Sequence, residues 1–102
     1  MFDKFKDMMG QLQLMQQKAE EVKAALDNLT VSESGAGGDI KITMTGNRRV
    51  VSLSIDPALQ HGDKEELEEQ LTVTLNRAIA KADALNESEM KKVAGGMMPG
   101  LF

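Results

Sequence analysis

From Phe5 to Leu29 an apolar residue recurs at alternating steps of three and four: Phe5, Met8, Leu12, Met15, Ala19, Val22, Leu26 and Leu29. That spacing lays a stripe along one side of an α-helix for more than three heptads. The residues between them, among them Gln11, Gln13, Gln16, Gln17, Lys18, Glu20, Glu21 and Lys23, are good helix formers, and Gly10 is the one weak point. A helix over residues 2–29 is therefore expected. A second one starts at Asp63, where Glu66 stands at capping-box spacing. It runs through Leu67, Leu71, Leu75, Ala78, Ile79, Ala82 and Leu85 to about Met90. The Gly95-Gly96-Met97-Met98-Pro99-Gly100 stretch is expected to stop it and to form a flexible tail, leaving one domain over 1–93 and a tail over 94–102.

Between the helices the period changes to two. Thr30 to Ser34 is weakly strand-like, and Gly35-Ala36-Gly37-Gly38 is a loop. Ile40, Ile42 and Met44 alternate with Lys41, Thr43 and Thr45, and a second strand runs from Arg48 to Ile55. Gly46-Asn47 predicts a two-residue hairpin turn, which sets Ile42 opposite Val51 and Ile40 opposite Leu53, all on one face. Asp56-Pro57 ends the sheet. The predicted fold is α+β: helix, three-stranded antiparallel sheet, helix.

These elements do not match in length. A helix of ~26 residues is about 39 Å long, whereas a seven-residue strand spans about 23 Å. Part of each helix must outrun the sheet, and the half carrying Phe5, Met8, Leu12 and Met15 then lies beyond the core. Leaving such side chains wet forfeits roughly 1.5–3 kcal/mol each. A second copy of the chain is the simplest cover, so a homodimer is expected, with these four residues at its interface.

Composition removes most chemistry. The chain of 102 residues has no cysteine, hence no disulfide and no thiolate zinc site. Phe2, Phe5 and Phe102 are its only aromatic residues, too few for base-stacking platforms. No apolar run is long enough for a membrane span, so no membrane partner is expected. The Gly35–Gly38 loop precedes a strand rather than a helix and lacks a Gly-Lys-Ser/Thr ending, unlike a phosphate cradle. Asp63, Glu65, Glu66, Glu68 and Glu69 lack calcium-loop spacing and suit the start of a helix. His61 stands without an orienting partner. No enzyme, metal site, cofactor or small-molecule substrate is expected.

The net charge is −4, but it is unevenly spread: residues 59–89 hold eight acids against three cations. Lys4, Lys18, Lys23, Arg77, Lys81, Lys91 and Lys92 fall on or beside the helices, and Lys41, Arg48 and Arg49 on the hairpin. By spacing alone these read as a solvated surface, and the residues go no further than a dimeric helix–sheet–helix protein.

The order of pieces resembles the YbaB/EbfC family of bacterial nucleoid-associated proteins over nearly the whole chain. The resemblance rests on Leu12, Met15-Gln16-Gln17-Lys18 and Leu26, then on Gly38, Gly46, Val51, Leu53 and Ile55-Asp56-Pro57. Leu67, Leu71, Asn76, Ala78, Lys81, Ala82 and the ending Gly95-Gly96-Met97 with Pro99-Gly100 complete it. It implies a tweezer-like homodimer with long protruding helices, located at the nucleoid in the cytoplasm and binding double-stranded DNA with effects on gene expression. Under that reading Lys4, Lys6, Lys18 and Lys23 of the first helix, with Arg77 and Lys81 of the second, neutralise phosphates with little base readout. The competing class is a protein-interaction module that uses the apolar helix ends or the Met97-Met98 tail.

Overall fold

The structure, a computed structural model, describes residues 2–97. Its elements are α1 (Phe2–Leu26), β1 (Thr30–Gly35), a 3₁₀ turn at Ala36–Gly38, β2 (Ile40–Thr45), β3 (Val50–Ile55), a short α2 (Pro57–Gln60) and α3 (Lys64–Met97). The molecule measures 70 × 21 × 17 Å, so it is a rod rather than a ball.

The strands form one antiparallel sheet in the order β1-β2-β3. Its inner face carries Ile40, Ile42 and Met44, all buried, and α3 lies across them through Ala78 and Ala82. Two alanines at the crossing let the helix come close, and Gly35 extends the same device to β1. A Cβ at Gly35 would collide with the hydroxyl of Thr74, which is fully buried and donates to the Gln70 carbonyl at 2.7 Å. Gly35→Ala is therefore expected to cost about 1–3 kcal/mol as overpacking, read as a lowered urea midpoint with an unchanged slope.

The hairpin departs from the predicted register. Thr45 N donates to the Arg49 carbonyl at 2.8 Å and Arg48 N to the Thr45 carbonyl at 3.0 Å, so three residues, not two, form the loop. Arg48 takes the left-handed conformation (φ 65°) that a three-residue loop places after its turn. One further irregularity sits between Thr43 and Met44, where Met44 faces Val50 but Thr43 faces Ser52. The outcome is Ile42 opposite Leu53 and Ile40 opposite Ile55. Two one-residue shifts add to two, and because the side-chain period is two Leu53 and Ile55 keep their predicted face, whereas next to the loop, where only one shift has accrued, Val50 rather than Val51 stands opposite the buried side.

Both helix ends also differ from expectation. α1 stops at Leu26, leaving Leu29 outside it and exposed. α3 continues through Gly95 and Gly96 to Met97, so these glycines do not end it, and 98–102 lie outside the described residues. At about 1 kcal/mol per glycine relative to alanine, two glycines weaken a long helix without forbidding it. The Asp56-Pro57 pair does more than end the sheet. Asp56 Oδ1 accepts from Ala58 N at 2.9 Å and Pro57 occupies the first turn, so the pair starts α2.

α1 packs against the second half of α3. Leu26 and Leu85 both approach Gly46, while Glu20 and Met90 line one cleft, so the two helices run antiparallel. Leu26 is fully buried and Val22, Ala19 and Met15 half-buried, whereas Leu12, Met8 and Phe5 are exposed. The result is a helical arm whose outer half is α1. Asn47 joins it to the sheet, donating to the Lys23 carbonyl at 2.7 Å and to Asp27 Oδ1 at 2.8 Å. Asn86 of α3 donates to the Gly46 carbonyl at 3.1 Å.

Candidate nucleic-acid interface

Six cations were expected to meet phosphate, and they fall into three groups. At 100° per residue Lys4 and Lys18 lie within about 40° of each other on α1. Lys6 and Lys23 lie around the other flank of the same helix. All four side chains are exposed, and none has an ion-pair partner among the described residues. Their place on a projecting helix follows from the stripe: once the apolar side is fixed toward α3, the polar positions face solvent.

Arg77 and Lys81 are occupied differently. Arg77 Nη2 donates to the Ser34 carbonyl at 3.1 Å and Lys81 Nζ to the Ser32 carbonyl at 3.0 Å. Lys81 also pairs with Glu33 at 3.2 Å. Two cations of α3 thus clasp β1, supplying donors to carbonyls of an edge strand. The hydrogen bond from Lys81 holds the Glu33 carboxyl below its ordinary value, against desolvation that raises it, with the Ser34 amide adding to the lowering. A depressed folded pKa stabilises the fold above the unfolded value of about 4.5, and that contribution disappears as pH falls through the folded value. Glu33→Gln is accordingly expected to flatten the acid limb of a thermal-stability profile below about pH 4.5 and to leave the Lys81 amine without a counter-ion at neutral pH.

Sequence reading passed over Arg48 and Arg49 as phosphate ligands. The structure sets both beside Lys23 at an open cleft of about 730 Å³ between the hairpin and the arm, where Asn47 and Asn86 also stand. The signal was two adjacent arginines directly after the Gly46-Asn47 turn, at a loop tip. Acids temper this cleft: Glu20 and Asp27 line it, and Arg48 pairs with Asp83 at 3.0 Å. Lys23 shares these acidic neighbours, whereas Lys4, Lys6 and Lys18 stand outside the cleft.

The strongest acid cluster sits elsewhere. Asp63, Glu65, Glu66, Glu68 and Glu69 are exposed around the start of α3, and Asp63 Oδ1 caps that helix by accepting from Glu65 N at 3.0 Å. About 25 residues of helix, ~37 Å, separate them from the arm end of α3, several Debye lengths at physiological salt. Their charge is screened from anything held at the arm. His61 is exposed, no metal-binding group of His, Cys, Asp and Glu occurs among the described residues, and no helix there is long and apolar enough to cross a membrane.

Residues 1–97 match the model of the YbaB/EbfC DNA-binding family. A nucleoid-associated protein of Flavobacterium johnsoniae is 49% identical over 94 residues, covering 92% of this chain and 88% of that protein. One from Beijerinckia indica is 40% identical over 96 residues, covering 90% and 95%. The crystal structure of an uncharacterized protein from Helicobacter pylori superposes with a TM-score of 0.71 at 24% identity, over 91% of this chain and 95% of that one, which establishes the shared fold.

Proposed function

Because the chain belongs to the YbaB/EbfC DNA-binding family, we propose that it acts at the nucleoid as a homodimer whose projecting arms grip double-stranded DNA through its phosphates. The observation that carries the grip is the arm itself: Lys4, Lys6, Lys18 and Lys23 stand exposed on a helix that leaves the body, without carboxylate partners among the described residues. Lysines arranged this way act as point charges toward phosphate, and nothing about them reads a base edge. Two copies present the set twice, and linkage through one dimer raises the effective concentration of the second arm once the first is bound. Arg77 and Lys81, already donating to β1, contribute through the shape of the body rather than by contact. The reading assigns no catalysis to the chain.

Fluorescence anisotropy with several unrelated duplexes at low salt tests this. Comparable affinities with two chains per bound site are expected. The second reading, an interaction module for another protein, is favoured by Phe5, Met8, Met9 and Leu12, which are exposed on the outer half of α1. Absence of binding to every duplex at low salt would favour that module and remove the DNA role.

A further inference from the structure

The tip of the hairpin combines a strained backbone with a cluster of charge. Arg48 holds φ 65° at the third position of the loop, a conformation that glycine takes freely and that a side chain makes costly. A turn alone needs no arginine there, and a strained residue of this kind points to a use for its side chain. The backbone around it is held by both helices. Gly46 N donates to the Leu26 carbonyl at 3.1 Å, Asn47 Nδ2 to the Lys23 carbonyl at 2.7 Å, and Asn86 Nδ2 to the Gly46 carbonyl at 3.1 Å. Arg48 and Arg49 are therefore presented from a fixed loop.

Both arginines line the 730 Å³ cleft at the root of the arm together with Lys23, against the acids Glu20 and Asp27. Asp27 is engaged, because its Oδ1 accepts from Asn47 Nδ2 at 2.8 Å. Asp83, outside the lining, meets Nη1 of Arg48 at 3.0 Å, which orients the guanidinium and leaves the rest of its fork open. Arg49 and Lys23 have no ion pair among the described residues. Two guanidiniums and an amine around one hollow suit a compact oxyanion of multiple charge. Planar forks take phosphate oxygens in pairs, and lysine adds a point charge. We infer that this cleft is a phosphate-binding site, in which Arg48 and Arg49 grip the phosphate group and Lys23 adds its charge. The inference does not depend on the DNA reading. The phosphate comes either from a duplex lying along the arm or from a small free phosphate compound, and the test separates these sources.

Pyrophosphate titrated into the isotope-labelled protein, followed by amide chemical shifts, is the first arm of that test. Saturable shifts are expected at residues 46–49 and at Asn86. Arg48→Gly with Arg49→Gln is expected to weaken that binding by about 10-fold or more. Its melting temperature is expected to be unchanged or higher, because glycine relieves the left-handed backbone. Asp83→Asn breaks the ion pair but keeps both arginines, and it is expected to tighten pyrophosphate binding by removing a competing carboxylate. Anisotropy with a plain duplex is the second arm. Duplex affinity that falls in the arginine variant assigns the phosphate to DNA, and duplex affinity that stays the same, with the pyrophosphate shifts present, assigns it to a small free compound. Shifts that fail to saturate or fall elsewhere on the chain, with duplex affinity unchanged, overturn the site and leave the grip of the arm standing. Binding weakened as much by Asp83→Asn as by the arginine variant also overturns it, since the pair then only shapes the loop. Absence of duplex binding by the unaltered protein removes the DNA reading, and the pyrophosphate shifts then decide the cleft alone.

Discussion

Leu26→Ala is expected to lower stability by about 3–5 kcal/mol, the upper part of the range for emptying a buried leucine site. Leu26 has no exposed surface, and it stands where the arm meets the body. A Cβ placed on Gly46 would lie 2.5 Å from Leu26 Cδ2 and 3.3 Å from Leu85 Cδ2, so side chains from both helices converge on one backbone position of the hairpin. Gly46 N donates to the Leu26 and Leu29 carbonyls at 3.1 and 2.9 Å, which ties the turn to the end of α1 and limits collapse into the void. Domains of this size are stable by only about 5–15 kcal/mol. A urea titration read by circular dichroism measures the loss. A change below ~1 kcal/mol would show that the arm is held by something other than this joint.

Charge reversal on the arm is the second large effect. Lys4→Glu with Lys18→Glu alters two side chains of α1 that are exposed and make no ion pair among the described residues, so folding is expected to be unchanged. In a dimer it removes four cations and adds four acids. DNA affinity at fixed moderate salt is expected to fall by about 100-fold or more, with the log–log salt slope shallower by about 3 to 4. The same reversal at Arg77 and Lys81 is expected to act first on stability, because those side chains hold β1 to α3. Loss of binding without loss of stability in that second variant would return Arg77 and Lys81 to the DNA surface.

Much of this was legible because period is a local property. The three-four spacing through Met15, Ala19, Val22 and Leu26 gave the helix and its packed side, and the alternation of Ile40, Ile42 and Met44 gave the buried face of the sheet. The mismatch in length between helix and strand survives as a 70 Å rod with an exposed arm. Register was not legible. It depended on an arginine adopting a left-handed backbone at 48, where Gly46-Asn47 suggested a tighter turn, and on an irregularity further along the ladder. The end of α3 was misplaced because glycine was treated as a stop rather than as a cost.

The candidate site was legible in kind and less so in detail. Lys6 and Lys18 follow from the stripe that fixes the other side of α1, whereas Lys4 and Lys23 stand at the stripe's margins. That Arg77 and Lys81 would turn to β1 depends on α3 crossing that edge, which no spacing within α3 encodes. The exposure of Val51 and Leu53 is likewise a product of where α3 comes to rest, since their alternation with Ile55 alone reads as core.

Affinity for a plain duplex measured between about 50 and 200 mM salt tests the phosphate grip most directly. Eight exposed lysines shared by two arms imply a fall of log affinity with log salt at a slope of about −4 to −7, the same on unrelated sequences. A slope near zero, or tight binding confined to one sequence, contradicts it.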